Sequence, residues 1–300
     1  MLGWRMSDKI ESMIEELKAH GYAVLRPLTR LPKIETPLET KVGVVIDIET
    51  TGLDPQGDEI IQLAMSFFRY LPETGEIVEV PYVYTSYNEP QFNEISDEIQ
   101  MITGITPDMV KGHRLDIAHI EKCMSKVSLC VAHNAYFDRR FMERLSPVFA
   151  NKPWACSMHD INWLSHGFAV KNLFYILTRM GYDMSGVHNA EFDTMAVLTA
   201  LNARTAAGHT YFKELLDHAR KSSVRIYVLN TRYEDNEKLR ARKYVWSDGV
   251  KSGLYKGYRL DIDNSDQWKA EMDFHQELGL HPDQVVVEKI TALNRYSARV

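Results

Sequence analysis

Apolar residues at Ile10, Met13, Ile14 and Leu17 recur at helical spacing and predict an amphipathic helix over 7–21, with Ser7 as N-cap and Gly21 as stop. The next stretch, RPLTRLPKIETP, reads as a proline-punctuated linker. Two apolar runs follow, at about 42–48 and 59–69, and both read as strands. LPETGE is a turn, and IVEVPYVYTSY is a third strand in which Pro81 marks an edge or a bulge. The pattern then becomes helical in ISDEIQMI, in TPDMVK (Thr106 as N-cap, Pro107 at the first helical position) and in LDIAHIEKCMSKV. SLCVAHN is a short buried strand leading into the helix AYFDRRFMERL; WACSM is a further strand, and helices follow at about 171–180 and 189–206. Strands first, then strands alternating with helices, predict an α/β domain with a mixed sheet covered on both sides.

After Gly208 the texture changes to helix (YFKELLDHARKSS), strand (VRIYVLN), helix (EDNEKLRARK), strand (SGLYKGYRLDI), a Ser265-capped helix and a last strand (DQVVVEKI). The expected organisation is thus an N-terminal helix and linker (1–40), an α/β domain (41–208) and a small basic and aromatic α+β appendage (209–300). Three hundred residues suit one full-sized domain plus an appendage. With 45% hydrophobic and 25% charged residues the composition is that of an ordinary globular chain. No stretch reads as a signal core or a membrane span, so no membrane partner is expected. The three cysteines, Cys123, Cys130 and Cys156, are odd in number and lack C-x-x-C spacing; they read as buried thiols in a reducing, cytoplasmic setting.

The net charge of −6 argues against a protein that coats long duplexes. Residues 219–259 run the other way, with eleven Lys/Arg against four Asp/Glu. Tyr227, Tyr233, Tyr244, Trp246, Tyr255 and Tyr258 are interleaved with these cations. Such a segment is either a single-strand surface, with cations on phosphates and rings on bases, or a small core with solvated lysines.

Carboxylates change the picture further. In VVIDIETTGLDP, Asp47 and Glu49 fall two residues apart at the end of an apolar strand, on one face, where two anions repel unless a positive charge lies between them. Asp138 falls on the first turn of the helix that follows the strand ending at His133 and Asn134. Asp193 lies on the apolar stripe of Val197 and Ala200, and His188 stands just before that helix. Four converging carboxylates form an oxygen cage for hard divalent cations. Two such ions roughly 4 Å apart serve phosphoryl displacement, and a histidine beside them suits a general base.

Together DIETTGL, HNAYFDRRF and HNAEFD resemble the three motifs of the DnaQ-like, DEDDh-type 3′–5′ exonucleases, the superfamily of polymerase proofreading exonucleases, over about residues 42–206. The resemblance implies an RNase H-like fold with a five-stranded mixed sheet. It also implies two Mg²⁺ or Mn²⁺ ions and release of nucleoside 5′-monophosphates from a 3′ end. Asp47, Glu49, Asp138 and Asp193 match the metal-binding acids, and His188 matches the general base. Thr50, Thr51, Gly52 and Leu53 match the turn that touches the terminal nucleotide. Thr103 and Ile105, in ITGIT, match the segment beside the 3′ sugar, although Thr103 stands where histidine is common. Asn134 and Phe137 match the second motif, with a strand-end hydrogen bond and a core aromatic as their structural alternatives. LRARKYVWSDG is similar to a C-terminal element of some bacterial members and assigns no function. The expected substrate is a single-stranded or frayed 3′ end, DNA first and RNA as the alternative, in repair or proofreading and with a DNA polymerase as a candidate partner. A non-catalytic accessory module is the other alternative.

Overall fold

The computed structural model describes residues 2–186, 189–249 and 254–300, with side chains from Lys9 onward. The first helix, α1 (Leu2–Ala19), starts five residues before the expected cap, so Ser7 lies inside it. Strands β1 (Lys41–Thr50), β2 (Ile60–Tyr70) and β3 (Ile77–Tyr87) form the expected meander. Helices α2 (Asp97–Thr103), α3 (Pro107–Val110) and α4 (Ile117–Met124) follow, then β4 (Val127–Ala132), α5 (Ala135–Leu145), β5 (Trp154–Cys156), α6 (Leu173–Arg179) and α7 (Ala190–Asn202). The sheet order is β3-β2-β1-β4-β5, with β1 antiparallel to β2 and parallel to β4.

β1 is central, which explains why Val44, Val45 and Ile46 are all apolar and fully buried: a strand covered on both faces needs no polar side. Val45 faces the layer of α6 and α7, while Val44 and Ile46 face that of α4 and α5. Gly43 is required by the first layer, because a Cβ there would lie 2.4 Å from the Phe68 ring. Pro81 proves to be both edge and bulge: β3 is the outer strand, and its register against β2 shifts between the pairs Phe67–Tyr82 and Arg69–Glu79. Cys130 and Cys156 are buried as expected, and Cys123 partly so.

The division expected at residue 208 cuts through packed structure. Helix α8 (Tyr211–Ala219) buries Tyr211, Phe212, Leu215 and Leu216 in the same core as Phe68, and Phe212 sets its ring edge-on to Phe68 and Tyr70 at 5.2 and 5.0 Å. The second unit is β6 (Ser223–Leu229), α9 (Asn236–Ala241), β7 (Val245–Asp248), β8 (Lys256–Ile262), α10 (Ser265–Glu277) and β9 (Val285–Ile290). Its antiparallel sheet runs β7-β8-β6-β9. Strand β7 was not anticipated, residues 252–253 of the expected strand lie outside the described residues, and Asn264 rather than Ser265 caps α10. Among the described residues, no helix is long and apolar enough to cross a membrane.

The last ten residues return to the first sheet. Trp154 donates its backbone N–H to the Ala292 carbonyl (2.7 Å), and the fully buried Arg139 donates to the carbonyls of Ala292 (3.2 Å), Leu293 and Arg295 (2.7 Å) while pairing with Glu143 (2.7 Å). Replacing Arg139 by Leu leaves Glu143 short of a buried partner and strands the Arg295 carbonyl, while Ala292 keeps the Trp154 N–H and Leu293 keeps Arg299. The expected cost is about 3–5 kcal/mol, read as a lower urea midpoint at unchanged m-value.

Three of the six interleaved rings, Tyr227, Tyr244 and Tyr258, are core residues of the second unit, and Tyr255 packs on Tyr227 at 5.1 Å. Tyr233 (93% exposed) and Trp246 (47%) remain on the surface. Several cations of the segment are paired: Arg225 with Asp261, Arg232 and Lys238 with Asp235, and Arg242 with Glu271. Of the two readings of the segment, the small core accounts for Tyr227, Tyr244 and Tyr258 and leaves Tyr233 and Trp246 as exposed rings.

Candidate metal centre

Asp47 and Glu49 extend from β1 on the face that packs against α7, and the register sets Ala64 and Gln62 opposite them on β2. Ala64 is small and leaves room over Asp47. Gln62 accepts from the Ala190 N–H (3.1 Å), and Ser66 bonds Thr194 (2.7 Å), so the first turns of α7 are fastened to β2. Asn189 caps that helix by accepting from the N–H groups of Glu191 and Phe192. These fastenings bring Asp193 to Asp47 and Glu49: one ligand oxygen from each of the three lies within 4.8 Å of the others. Gln62 and Ser66, polar and buried within the apolar run of β2, are the sequence signal for this docking.

Asp138, on the first turn of α5, is buried beside the trio but outside that 4.8 Å group. Its carboxylate accepts from backbone N–H groups, including that of Ile48, which offsets part of its burial. The acids hold one another's protons on. Burial, then the charges of Asp138, Asp193 and Glu49, raises Asp47 well above the usual carboxylate range. Burial, then Asp193, pushes Glu49 up to about 7. Burial, and to a lesser degree Glu49, raises Asp138 likewise. A cluster of hard oxygen donors that disfavours its own ionisation fits a hard divalent cation, whose charge reverses each of these shifts.

The cleft over the acids, of about 390 Å³, is lined by Asp47, Asp193, His133, Asn172, Phe174 and Met184. His133 is the described histidine of this cleft, and it is spoken for. Its Nε2 faces the Lys171 carbonyl (2.9 Å), which can only accept, so Nε2 carries the proton and Nδ1 accepts from Ser157 (2.8 Å). Burial lowers its pKa to about 4, which makes it a neutral brace between β4 and the 157–171 segment. His188, the expected base, lies outside the described residues.

The expected substrate turn is rigid. Thr50 donates to the Gly52 carbonyl (2.6 Å), and Thr51 donates to Asp58 (3.1 Å). A Cβ on Gly52 would lie 2.5 Å from the Asp58 carboxylate, which is held by Asp54, Thr51 and Asn93. Leu53 projects from this turn, 84% exposed. A clamp unseen in the sequence joins the turn to the 91–93 loop: the Glu59 carboxylate accepts from the N–H groups of Gln91 (2.8 Å), Phe92 (2.8 Å) and Asn93 (2.9 Å). It thereby fixes Phe92, 89% exposed. Burial opposes ionisation of Glu59, but the three N–H groups outweigh it and hold the carboxyl below its usual range. Glu59→Ala strands all three donors and is expected to destabilise by about 1–3 kcal/mol, with faster hydrogen exchange confined to residues 50–59 and 88–94.

The remaining expected contacts divide. Thr103 donates to Ile99 (2.8 Å) and accepts from the Ile105 N–H (3.1 Å), closing α2. Ile105 is buried in a cluster with Ile61, Ile95 and Val110, so its side chain does not face the cleft. Asn134 sits in the left-handed region (φ 74°) between β4 and α5 and its side chain makes no cap hydrogen bond to the helix. Phe137 packs on Phe141 at 5.0 Å, a core aromatic.

Residues 44–201, just over half of the chain, match the family described as exonuclease (RNase T). The DNA polymerase III PolC-type protein of Thermotoga petrophila is 35% identical over 132 residues, covering 42% of this chain and 9% of that protein. The PolC-type protein of Mycoplasmopsis pulmonis is 32% identical over 189 residues, covering 57% of this chain and 12% of that protein. The chain thus spans about a tenth of the length of these relatives. Among solved structures, E. coli exonuclease I in complex with a dT13 oligonucleotide superposes with a TM-score of 0.51 at 14% identity, over 81% of this chain and 69% of that one. A structure of exonuclease I gives 0.50 at 15% identity, over 81% and 68%. At such identity the likeness establishes the fold, an RNase H-like mixed sheet flanked by helices.

Proposed function

The chain belongs to this exonuclease family, and from that premise we propose that it is a divalent-metal-dependent 3′–5′ exonuclease. In this reading it releases nucleoside 5′-monophosphates from single-stranded or frayed DNA ends. The supporting observation is the approach of Asp47, Glu49 and Asp193 to within 4.8 Å, with Glu49 pushed up to about 7. Asp47, Glu49 and Asp193 would hold a divalent cation, with Asp138 as the fourth acid available to it or to a second ion. Bound Mg²⁺ or Mn²⁺ supplies the charge that activates water and stabilises the leaving oxygen. His188 takes the proton of the attacking water, while the turn at Thr50–Leu53 and its clamped neighbour carrying Phe92 hold the terminal nucleotide. DNA is favoured over RNA by the PolC-type relatives, and the same likeness makes a DNA polymerase the partner class to test.

The test is a time course on 3′- and 5′-labelled DNA and RNA strands, with Mg²⁺ and with EDTA. The expected result is immediate release of labelled mononucleotide from 3′-labelled DNA, a descending ladder from 5′-labelled DNA, and none of either in EDTA. Faster loss of RNA would reassign the substrate. Products unaffected by EDTA would overturn the reading.

A further inference from the structure

A second cavity, of about 470 Å³, lies where the C-terminal sheet meets the exonuclease body, within the size range of ligand sites. Arg295 lines it and is 8% exposed. Its guanidinium donates to the carbonyls of Lys221 (2.9 Å) and His218 (3.4 Å) and approaches His218 Nδ1 at 3.5 Å; among the described residues it forms no ion pair. A buried cation facing only neutral acceptors calls for an anion from elsewhere. Lys221 and Arg259 line the same cavity, and among the described residues neither side chain makes a hydrogen bond or an ion pair.

The acids nearby are largely committed. Asp261 is held by both arms of Arg225 (2.6 and 2.8 Å), and Asp160 accepts from Tyr296, the Cys156 N–H (2.8 Å) and His218 (3.0 Å). Asp217 is bound by Lys213 (2.7 Å), and Glu214 by His166 (2.7 Å). Asp263 is the exception: among the described residues it meets only the Asn264 amide (2.9 Å).

This cavity is linked to the metal centre through one intervening cavity. It shares His159, His218 and Lys221 with a neighbouring cavity that Lys171 lines, and the Lys171 carbonyl bonds His133 of the catalytic cleft. We propose that the junction cavity is a second phosphate site, in which Arg295, Lys221 and Arg259 hold the backbone of the strand whose 3′ end occupies the metal centre. This rests on the exonuclease reading and adds to it a route, past Lys171, that leads from the acids to the C-terminal sheet.

The test uses the full chain with Lys221→Gln and Arg259→Gln combined, at surface positions outside the catalytic machinery, checked by thermal melting. Binding of fluorescent single strands of about 20 and about 4 nucleotides is measured in EDTA at several salt concentrations, so that no turnover is needed. Two lost phosphate contacts, at about 0.7 each, lower the salt slope by about 1.4 for the longer strand. They weaken its binding about tenfold at low salt and leave the short strand unchanged. An unchanged slope for the longer strand overturns the proposal. So does loss of dTMP or inorganic phosphate binding without any change for the longer strand, which makes the cavity a site for free nucleotides. Failure of the wild type to release mononucleotides is read separately, in the labelled-strand assay, and counts against the exonuclease reading rather than this site.

Discussion

Asp47→Asn is expected to lower phosphodiester hydrolysis about a thousandfold or more, about 4 kcal/mol of transition-state stabilisation, while the protein stays folded. The two outcomes have one cause. Asp47 feels Asp138, Asp193 and Glu49 at once, so its charge is the most valuable to a bound cation and the most costly without one. Asn keeps the shape and removes the charge. The melting temperature in EDTA should therefore hold or rise, whereas in Mg²⁺ the variant should lose the gain that the wild type shows. A variant that keeps wild-type turnover, or that loses activity only because it unfolds, contradicts the role given to Asp47.

The second large effect is a dependence of stability on pH that divalent cations suppress. Glu49 has its folded-state pKa raised from 4.5 to about 7. Between those values the folded chain holds a proton that the unfolded chain has released, so stability falls as pH rises through that window and levels off above it. For Glu49 alone the loss is on the order of 3 kcal/mol, and Asp47 and Asp138 shift in the same direction. Mg²⁺ binds the ionised form and competes with protons. Its stabilisation should be several-fold larger at pH 8 than at pH 5. Calorimetric melting at both pH values, with Mg²⁺ and with EDTA, measures this, and an equal gain at both pH values contradicts it.

The parts of this molecule that could be read from the chain are those whose cause is local. Strand β1 declares itself because both its faces are buried, and Asp47 and Glu49 declare themselves because a period of two puts them on one side. Helix α8 shows the limit. Its apolar residues Tyr211, Phe212, Leu215 and Leu216 announce a buried face, but nothing in their spacing says which sheet receives it, and a boundary drawn from the change in texture at Gly208 assigned it to the wrong one. The tail is less legible still, because Arg139 holds it through backbone carbonyls, which leave no trace in side-chain pattern. Glu59 reads as one more acid before a strand until the fold delivers three N–H groups to it. Tyr227 and Tyr258 look like neighbours of cations in the sequence. The second sheet turns Tyr258 into the core on one side and buries Tyr227 beneath Tyr255 on the other.

The central claim is that the acids of β1, α5 and α7 are a cation site. Anomalous scattering from a crystal soaked in Mn²⁺ addresses it directly. A peak in contact with oxygens of Asp47, Glu49 and Asp193, with or without a second toward Asp138, is the expected result. Manganese bound elsewhere while these carboxylates keep their protons and their spacing would contradict it.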